Sequence, residues 1–360
     1  MEELRKKRRS FVYAMDLSTE TFYDVNNEIR GYSVLLCDWL GKLFGVPFVP
    51  EIRDFKDILA GLESLEVDFT GELALTGEFS KDYFMTNPIA ERPIKLMRIM
   101  GSEPLSRTAL DRPLRYAFRS DRAVYNNISP FIQESFDAVF VNDDADAYRR
   151  LKSGDVDALF DDGTREIFFD KFGDVIAEDY FPLIYSRMPL STKNPELEPI
   201  VRIVRRALLS GAKHHFVDLY NLGHQEYLRN KLFSQFTSDE LSYINLHTAT
   251  RSAIPIAAEH DNYPISFYNK QEDEWQGIAF DVLRDVEKLT GLTFERANVE
   301  PVDRSKLMDM LEDGTASIIT ALTSYRVADG RFLNAGSPYH TGYYALLSKL
   351  EFGDVKLNEV

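Results

Sequence analysis

Along the chain, short apolar runs alternate with segments whose apolar residues recur at helical spacing. This pattern predicts that strands alternate with helices. The segment FVYAM after Ser10 is a short apolar run typical of a buried strand. Apolar positions between Val34 and Leu43 then recur at helical spacing as far as Gly45. A strand (PFVPEI), a helix (FKDILAGLESL) and a further strand (VDFTGEL) follow. Strands that alternate with helices of this length indicate an α/β fold with parallel pairing.

The alternation restarts after the strand KLMRIM and predicts a second α/β lobe. Its predicted strands are LRYAFRS, AVFV and DALFDD, and its predicted helices are SPFIQESF and ADAYRRLKSG. The chain then returns through a strand near residue 187, which completes the first lobe. Two strands that cross between two lobes predict a hinge, beside a cleft that can enclose a small ligand.

Helical patterns dominate the segment that follows the return strand. A helix is expected with its cap near Asn194 and Pro195 in its first turn, where proline is favoured. Two more helical stretches are expected to reach about Phe236, and residues 237–245 predict a linker helix. A new strand is expected near Ile254.

The beginning of the chain is repeated about 245 residues later, which indicates a duplicated module and not a solenoid unit. FYDVNNEIRGYSVLLCDWLGKLFGVPF, from Phe22, corresponds to FYNKQEDEWQGIAFDVLRDVEKLTGLTF, from Phe267. Gly31 to Gly45 and Gly277 to Gly291 are both 14 residues apart. Each copy continues into a second predicted helix that ends in a Leu-Glu pair. Two related domains are therefore expected.

The composition of the chain limits the number of its domains and the kinds of partner it can bind. A chain of 360 residues with 44% hydrophobic residues is long enough for two or three domains with cores of their own. The 42 basic and 58 acidic residues give a formal charge of -16, a field that repels nucleic acid. The single cysteine, Cys37, lies on the apolar stripe of a predicted helix and is expected to be a small buried side chain. No apolar run is long enough to span a bilayer, and MEELRKKRRS lacks the apolar core of a secretory signal.

Several fragments, in this order and spacing, resemble the type 2 periplasmic solute-binding proteins of the family 3 kind. In the second copy they are YPISFYN, WQGIAFDVL, TALTSYR and SPYHTGYYALLSK. In the first copy they are RGYSVLLCDWL, TGELALTGEFSKDYFMTNPIAER, KSGDVDALFDD and KNPELEPIVRIV. The resemblance implies an α/β fold: a two-lobe module of the type 2 periplasmic-binding-protein kind, followed by a partial second module. It implies a complete module over 1–247, with lobe I at 11–100 and 190–236 and lobe II at 105–186, and the first lobe of a truncated module over 248–360.

Two such modules in tandem resemble the sensory part of a bacterial transmembrane receptor, commonly a histidine kinase or a diguanylate cyclase. The resemblance implies an extracytoplasmic location, with membrane anchoring and output supplied by segments outside this chain, and homodimerisation through the parent receptor is left open. The implied partner is an amino acid or a small carboxylate, and no nucleic acid, metal or cofactor is expected. The alternative is the substrate-binding protein of an amino-acid ABC transporter. A catalytic member of the fold, such as a dehydratase, is a third interpretation, but no motif for metal, nucleophilic or phosphate chemistry occurs.

The family pattern places an arginine three residues after a threonine to hold the ligand carboxylate, and Thr323 and Arg326 match it in the second copy. The alternative for Arg326 is a surface arginine in a loop. Arginine suits this role because its planar fork pairs with both oxygens of a carboxylate. In the first copy, Thr76 is followed by Phe79 at the arginine position, and Lys81 is a poor substitute for an arginine. The first copy is therefore expected to bind a different solute, or to bind none and act as a spacer.

The remaining candidates are aromatic walls and acids. The candidate walls are Tyr263, Phe267 and Trp275 in the second copy, and Phe22 and Tyr23 in the first; the alternative for each is an ordinary core or loop aromatic. Asp281, on the first turn of its predicted helix, is a candidate partner for a ligand ammonium or an ordinary helix-start acid. Asp161 and Asp162 follow the predicted strand DALF, where the family often has an acid that faces the cleft; the alternative for both is a solvated turn.

Overall fold

The structure is a computed structural model that describes residues 9–75, 79–120, 124–298, 300–320 and 332–333. The chain divides into two units, residues 1–235 and residues 236–360.

The first lobe of the first unit is built on five strands in the order β4-β1-β5-β11-β6. The strands β4 and β5 lie parallel to β1 on its two sides, and β11 runs antiparallel to β5 and β6. This order agrees with the predicted βαβ alternation. The strands of this lobe are β1 (Phe11–Met15), β4 (Phe48–Ile52), β5 (Phe69–Thr70), β6 (Phe84–Ile99) and β11 (Tyr185–Thr192), and the hairpin of β2 (Phe22–Tyr23) and β3 (Ile29–Arg30) precedes β4.

The second lobe uses the far half of β6 together with four further strands. In this lobe β6 pairs with β9 and β10, while β7 lies parallel to both β8 and β9. Because β6 has 16 residues, it belongs to the sheets of both lobes. The strands added here are β7 (Leu114–Arg119), β8 (Phe136–Val141), β9 (Ala158–Asp162) and β10 (Val175–Asp179).

Two neighbouring strands, β6 and β11, connect the lobes in opposite directions. Their ladder runs from Phe84 opposite Thr192 to Pro93 opposite Tyr185, and it is interrupted by irregular register near Pro189. Beyond Pro93 the strand β6 pairs instead with β9 and β10 of the second lobe. The sequence-predicted pair of crossing strands is therefore present.

Helices cover both sheets. In the first lobe the main hydrophobic core lies between the sheet and the helices α1, α7 and α8, and a smaller core lies beneath α2. In the second lobe two cores flank the sheet, one of them beneath α6. The helices of the first unit are α1 (Tyr32–Phe44), α2 (Phe55–Ser64), α3 (Phe79–Asp82), α4 (Leu105–Asp111), α5 (Val124–Ile128), α6 (Asp144–Ser153), α7 (Glu198–Ala207) and α8 (Lys213–Phe233).

One helix prediction is wrong. SPFIQESF forms only a 3-10 turn at Ser129–Phe131, because the end of the segment joins the sheet, where Phe136 pairs with Leu114. The two further helical stretches predicted before residue 236 are present as the π-turn Leu208–Ala212 and the long helix α8. The predicted cap is confirmed: the Asn194 side chain accepts a hydrogen bond from the N–H of Glu196.

The helix α8 packs closely on the first lobe. A Cβ atom at Gly223 would lie 2.3 Å from the backbone nitrogen of Tyr32, so the absence of a side chain allows α8 and α1 to touch. The ring of Phe216 lies edge-on to Trp39, with 4.8 Å between centroids. Farther along α8, the Glu226 carboxylate accepts a hydrogen bond from the N–H of Gly31. One helix therefore runs along the lobe and past its first hairpin.

The second unit begins with a helix and repeats the opening of the first. A capping box of Thr237 and Glu240 starts its first helix. The central strand β12 then lies between β16 and β17, with both neighbours parallel to it. The elements are α9 (Ser238–Thr250), β12 (Ile254–Ala257), β13 (Asp261–Asn262), β14 (Ser266–Asn269), β15 (Glu274–Gln276), α10 (Ile278–Thr290), β16 (Phe294–Arg296), α11 (Arg304–Glu312) and β17 (Ile318–Ile319).

The repeated glycines adopt the same conformation in both units. Gly31 has φ 102° and ψ -171° before α1, and Gly277 has φ 127° and ψ 169° before α10. Gly45 and Gly291 end these two helices in the left-handed conformation, with φ 66° and φ 79°. The sequence repeat therefore corresponds to a repeated structural motif.

Candidate functional site

The junction between the lobes of the first unit brings together polar loops from both sheets. The loops after β1 and β5 leave the same edge of the first sheet, because these strands are parallel neighbours. The carboxyl ends of parallel strands are where α/β proteins commonly bind ligands. The segment after β9 and the start of α6 face this edge from the second lobe.

On the first-lobe side, a buried arginine of the crossing strand β6 is held between two carboxylates. Arg92 is 1% exposed, and its guanidinium donates to both Glu20 and Glu72. The Arg92 Nη2 lies 2.7 Å from Glu20 Oε2 and 3.0 Å from Glu72 Oε1, while its Nη1 lies 2.8 Å from Glu72 Oε2. Burial disfavours the guanidinium charge, but the two carboxylates outweigh this and hold the pKa of Arg92 well above its ordinary value. The triad is a charge-assisted cluster with one excess negative charge.

Tyrosine hydroxyls surround this triad. Tyr32 donates to the carbonyl of Ile89 at 2.6 Å, and burial, with the nearby Glu20 charge adding to it, raises the pKa of Tyr220. Burial raises the pKa of Tyr13 and of Tyr32 well above the ordinary value, and neighbouring negative groups add to this effect. These hydroxyls therefore remain neutral beside the carboxylates.

On the second-lobe side, two arginines converge on one aspartate. Asp144, the first residue of α6, accepts from Arg119 at 2.8 Å and from Arg165 at 2.6 Å. The other arm of Arg165 reaches Asp16 of the first lobe at 2.9 Å, and Arg165 is only 4% exposed. One guanidinium thus joins carboxylates of both lobes.

The binding residues predicted for the first copy do not meet at this junction. Phe22 is 1% exposed and packs edge-on against Tyr227, so its ring is not accessible to a solute in this conformation. Tyr23 is partly exposed, and its carbonyl accepts from Asn230. Phe79 packs against Tyr83 and the small core of the first lobe, with 5.9 Å between the ring centroids. Lys81 is exposed, and Thr76 lies outside the described residues.

Asp161 and Asp162 are the last residues of β9 and are both buried, so a solvated turn is excluded for them. The N–H of Asp162 donates to Asp161 Oδ1 at 2.8 Å, and the hydroxyl of Ser186, on the crossing strand β11, donates to Asp162 at 2.6 Å. In the strand register Asp161 lies opposite Lys95 of β6. The two acids therefore belong to the hinge.

In the second unit, the predicted aromatic residues lie on the three-stranded sheet β13-β14-β15 and in the turn between β13 and β14. Tyr263 is exposed and lies 5.0 Å from Phe267, between ring centroids. Trp275 contacts Phe280, and the Arg296 guanidinium stacks on its ring at 4.4 Å from the centroid. The aromatic rings therefore form two groups on this sheet.

Three other candidates in the second unit have different outcomes. Asp281 is in the first turn of α10, as predicted, and pairs with Arg284 at an exposed position. Thr323 and Arg326, the predicted carboxylate clamp, lie outside the described residues.

The charged residues at this junction were missed by sequence analysis. Asp16, Glu20 and Glu72 follow strands, as binding residues often do, but an acidic chain contains many such positions. Glu72 and Arg92 lie in the fragment TGELALTGEFSKDYFMTNPIAER, which carries the resemblance, but neither was assigned a role from the sequence, and Arg165 lies in none of the fragments that resemble the family. The relevant sequence prediction was a cleft beside the crossing strands, which marks a region and not particular side chains.

The junction can hold positively charged groups between opposed carboxylates, and it contains donors and acceptors from both lobes. In the described residues, no group of three or more potential ligands is arranged to hold a metal ion. Across the same part of the chain, no helix combines the length and apolar character needed to span a bilayer.

Comparison with known proteins identifies the fold. The periplasmic VFT2 domain of BvgS from Bordetella pertussis is similar at a TM-score of 0.50 with 15% identity, over 62% of this chain and 96% of that one. An amino acid ABC transporter substrate-binding protein, AbpA from Streptococcus pneumoniae, bound to L-arginine, has a TM-score of 0.49 with 19% identity, over 63% and 99% of the two chains. An ancestral arginine-binding protein bound to glutamine has a TM-score of 0.47 with 16% identity, over 60% and 98%.

Neither the protein-family models nor the curated proteins include a match to this sequence. The structural likeness to the VFT2 domain extends over a length close to that of the first unit, residues 1–235. The chain therefore contains a mixed α/β fold of the type 2 periplasmic-binding-protein kind over about 60% of its length.

Proposed function

We propose that this chain is the extracytoplasmic, solute-sensing part of a bacterial transmembrane signalling receptor. The observation that carries the proposal is the two-lobe architecture of the first unit, in which two crossing strands form a hinge beside converging polar loops. A solute that contacts both lobes stabilises the closed form by its differential affinity for closed over open states. The periplasmic VFT2 domain, which has the same fold, supports the assignment to an extracytoplasmic site.

We also propose that residues 248–360 are the first lobe of a second module of the same kind. The shared glycine conformations at Gly31 and Gly277, and the central strands flanked by parallel neighbours, support this division. The far lobe, a membrane anchor and an output domain would then be supplied by further segments of the parent protein. The proposed ligand class is an amino acid or a small carboxylate, and the second module is its proposed site.

The proposal is tested by a thermal-shift screen of amino acids and small carboxylates on the ectodomain of the parent protein. At a solute concentration about one hundred times Kd, binding contributes about 2.7 kcal/mol, which raises Tm by about 5–10 °C for a domain of this size. If no member of the panel raises Tm, solute sensing of this class is wrong. A free protein secreted beside transporter genes, without an output domain, would instead favour the ABC-transporter alternative.

Arg326→Ala is expected to weaken binding of the solute found in that screen by about 1.5–3 kcal/mol, the contribution of a hydrogen bond to a charged group. The proposed reason is the loss of the planar fork that pairs with the solute carboxylate. Titration calorimetry on the same ectodomain measures the change. Arg304→Ala, which removes an exposed arginine from α11, is the matched control and should leave Kd unchanged. Equal affinities for wild type and Arg326→Ala would remove Arg326 from the site.

A further inference from the structure

One short segment of the second lobe, residues 164–170, is bound from two sides by the first lobe. We call it the catch segment. It contains most of the 3-10 turn Gly163–Phe168 and the first residue of the turn Asp170–Phe172, and Phe169 within it packs into a core of the second lobe. The catch segment therefore moves with the second lobe.

The first contact is made by the loop after β1. The N–H of Thr19 donates to the carbonyl of Thr164 at 3.0 Å, and Arg165 donates both to the Asp16 carboxylate at 2.9 Å and to the carbonyl of Leu17 at 3.3 Å. All of these groups are largely buried except Leu17, which is half-buried. The loop and the catch segment thus share a backbone hydrogen bond and a buried ion pair.

The second contact is made by α8. The hydroxyl of Tyr227 donates to Asp170 Oδ2 at 2.5 Å, and the ammonium of Lys231 lies 2.5 Å from Asp170 Oδ1. The same helix is fixed to the first lobe through Gly223 and Glu226. Because α8 and the loop after β1 both belong to the first lobe, a rotation about β6 and β11 that opens the lobes must break both contacts.

We propose that contacts between its own residues hold the first unit closed in the absence of a solute. The catch segment makes these contacts with the first lobe, and the Arg165 guanidinium takes the place of a solute that bridges the two lobes. Arg165 lies between Asp16 of one lobe and Asp144 of the other, which is the position of a group that contacts both lobes. Phe79, at the arginine position of the family pattern, packs into the first lobe and supplies no charge. The first unit is thus a spacer with a closed resting state, and solute recognition is left to the second.

Asp170 is held near the end of α8, which stops at Phe233. Opening of the first unit would free this end of α8 from the second lobe.

The test measures the distance between the lobes in the full 360-residue chain without added solute. Spin labels at Val25→Cys in the first lobe and Leu110→Cys in the second occupy exposed positions, and burial raises the pKa of the Cys37 thiol, which keeps it from reacting. We expect one narrow distance distribution that amino acids and small carboxylates do not change. The triple variant Asp16→Asn, Arg165→Gln, Tyr227→Phe should shift the distance distribution to longer distances and broaden it.

The matched control is Arg149→Gln with Tyr180→Phe, which makes two of the same three chemical changes at contacts within the second lobe. It should leave the distribution unchanged. A broad distribution in the wild type, or an unchanged distribution in the folded triple variant, would overturn the proposal.

If the triple variant fails to fold, amide exchange of wild-type Thr19 decides the question. Its N–H should exchange roughly tenfold or more slowly than in an unstructured peptide, because its acceptor is in the other lobe. Exchange at the peptide rate would contradict a closed resting state. Neither outcome depends on a solute, so the solute-sensing proposal stands or falls separately in the thermal-shift screen.

Discussion

Replacing Arg92 by alanine is expected to destabilise the first unit by about 3–5 kcal/mol, as the loss of one partner from a buried ion pair does. The change leaves the Glu20 and Glu72 carboxylates buried without their shared guanidinium. Urea denaturation measures the effect. In a Trp275→Phe background, Trp39 is the remaining tryptophan and reports on the first unit.

A charge-free variant separates the ionic effect from the loss of packing. Arg92→Met combined with Glu20→Gln and Glu72→Gln removes all three charges at similar volume, and it should recover most of the lost stability. A loss below about 1 kcal/mol in Arg92→Ala would contradict the role given to the triad.

The architecture of the first unit could be predicted because its sequence signals are local. Short apolar runs bounded by turn residues predicted β1, β4 and β9, and the cap at Asn194 is confirmed by its hydrogen bond. The burial of Cys37 is confirmed as well. The crossing strands followed from the order of these elements, which requires no knowledge of side-chain contacts.

Other features depend on contacts between distant parts of the chain, and local patterns do not contain them. SPFIQESF has helical periodicity, but pairing of Phe136 with Leu114 draws its end into the second-lobe sheet. The ion pair between Asp16 and Arg165 joins residues 149 positions apart. Among 100 charged residues, no spacing rule identifies which two will meet.

The predicted aromatic wall in the first unit illustrates the same limit. Phe22 and its repeat counterpart Phe267 occupy matching places in the sequence, yet Phe22 is buried under Tyr227, whereas Phe267 is only partly buried. The difference comes from α8, which covers the first hairpin and which follows the whole second lobe in sequence. The position of a residue in a repeat therefore predicts its backbone environment, but it does not predict its exposure equally well.

Gly31→Ala and Gly277→Ala are expected to be nearly as destabilising as the loss of Arg92. Both glycines have backbone angles that other residues essentially do not adopt, at about 1–3 kcal/mol of strain. The new Cβ would also lie 2.5 Å from the carbonyl oxygen of Glu20 in one case and 2.4 Å from that of Ile265 in the other. Overpacking against backbone adds about 1–3 kcal/mol, because no side-chain rotation can relieve it.

The two variants should differ in a way that depends on the buried triad. The carbonyl of Glu20, which a Cβ at position 31 would displace, also accepts the N–H of Ser33 at 3.1 Å, and the Glu20 side chain holds Arg92. Gly31→Ala should therefore disturb the triad, whereas Gly277→Ala has no such triad to disturb among the described residues. We expect the larger loss for Gly31→Ala, measured by urea denaturation and by faster amide exchange in β1. Gly101→Ala, with φ 75° and open space around its Cβ, is the control and should cost about 1 kcal/mol. Equal losses at positions 31 and 101 would show that the contact with Glu20 contributes nothing.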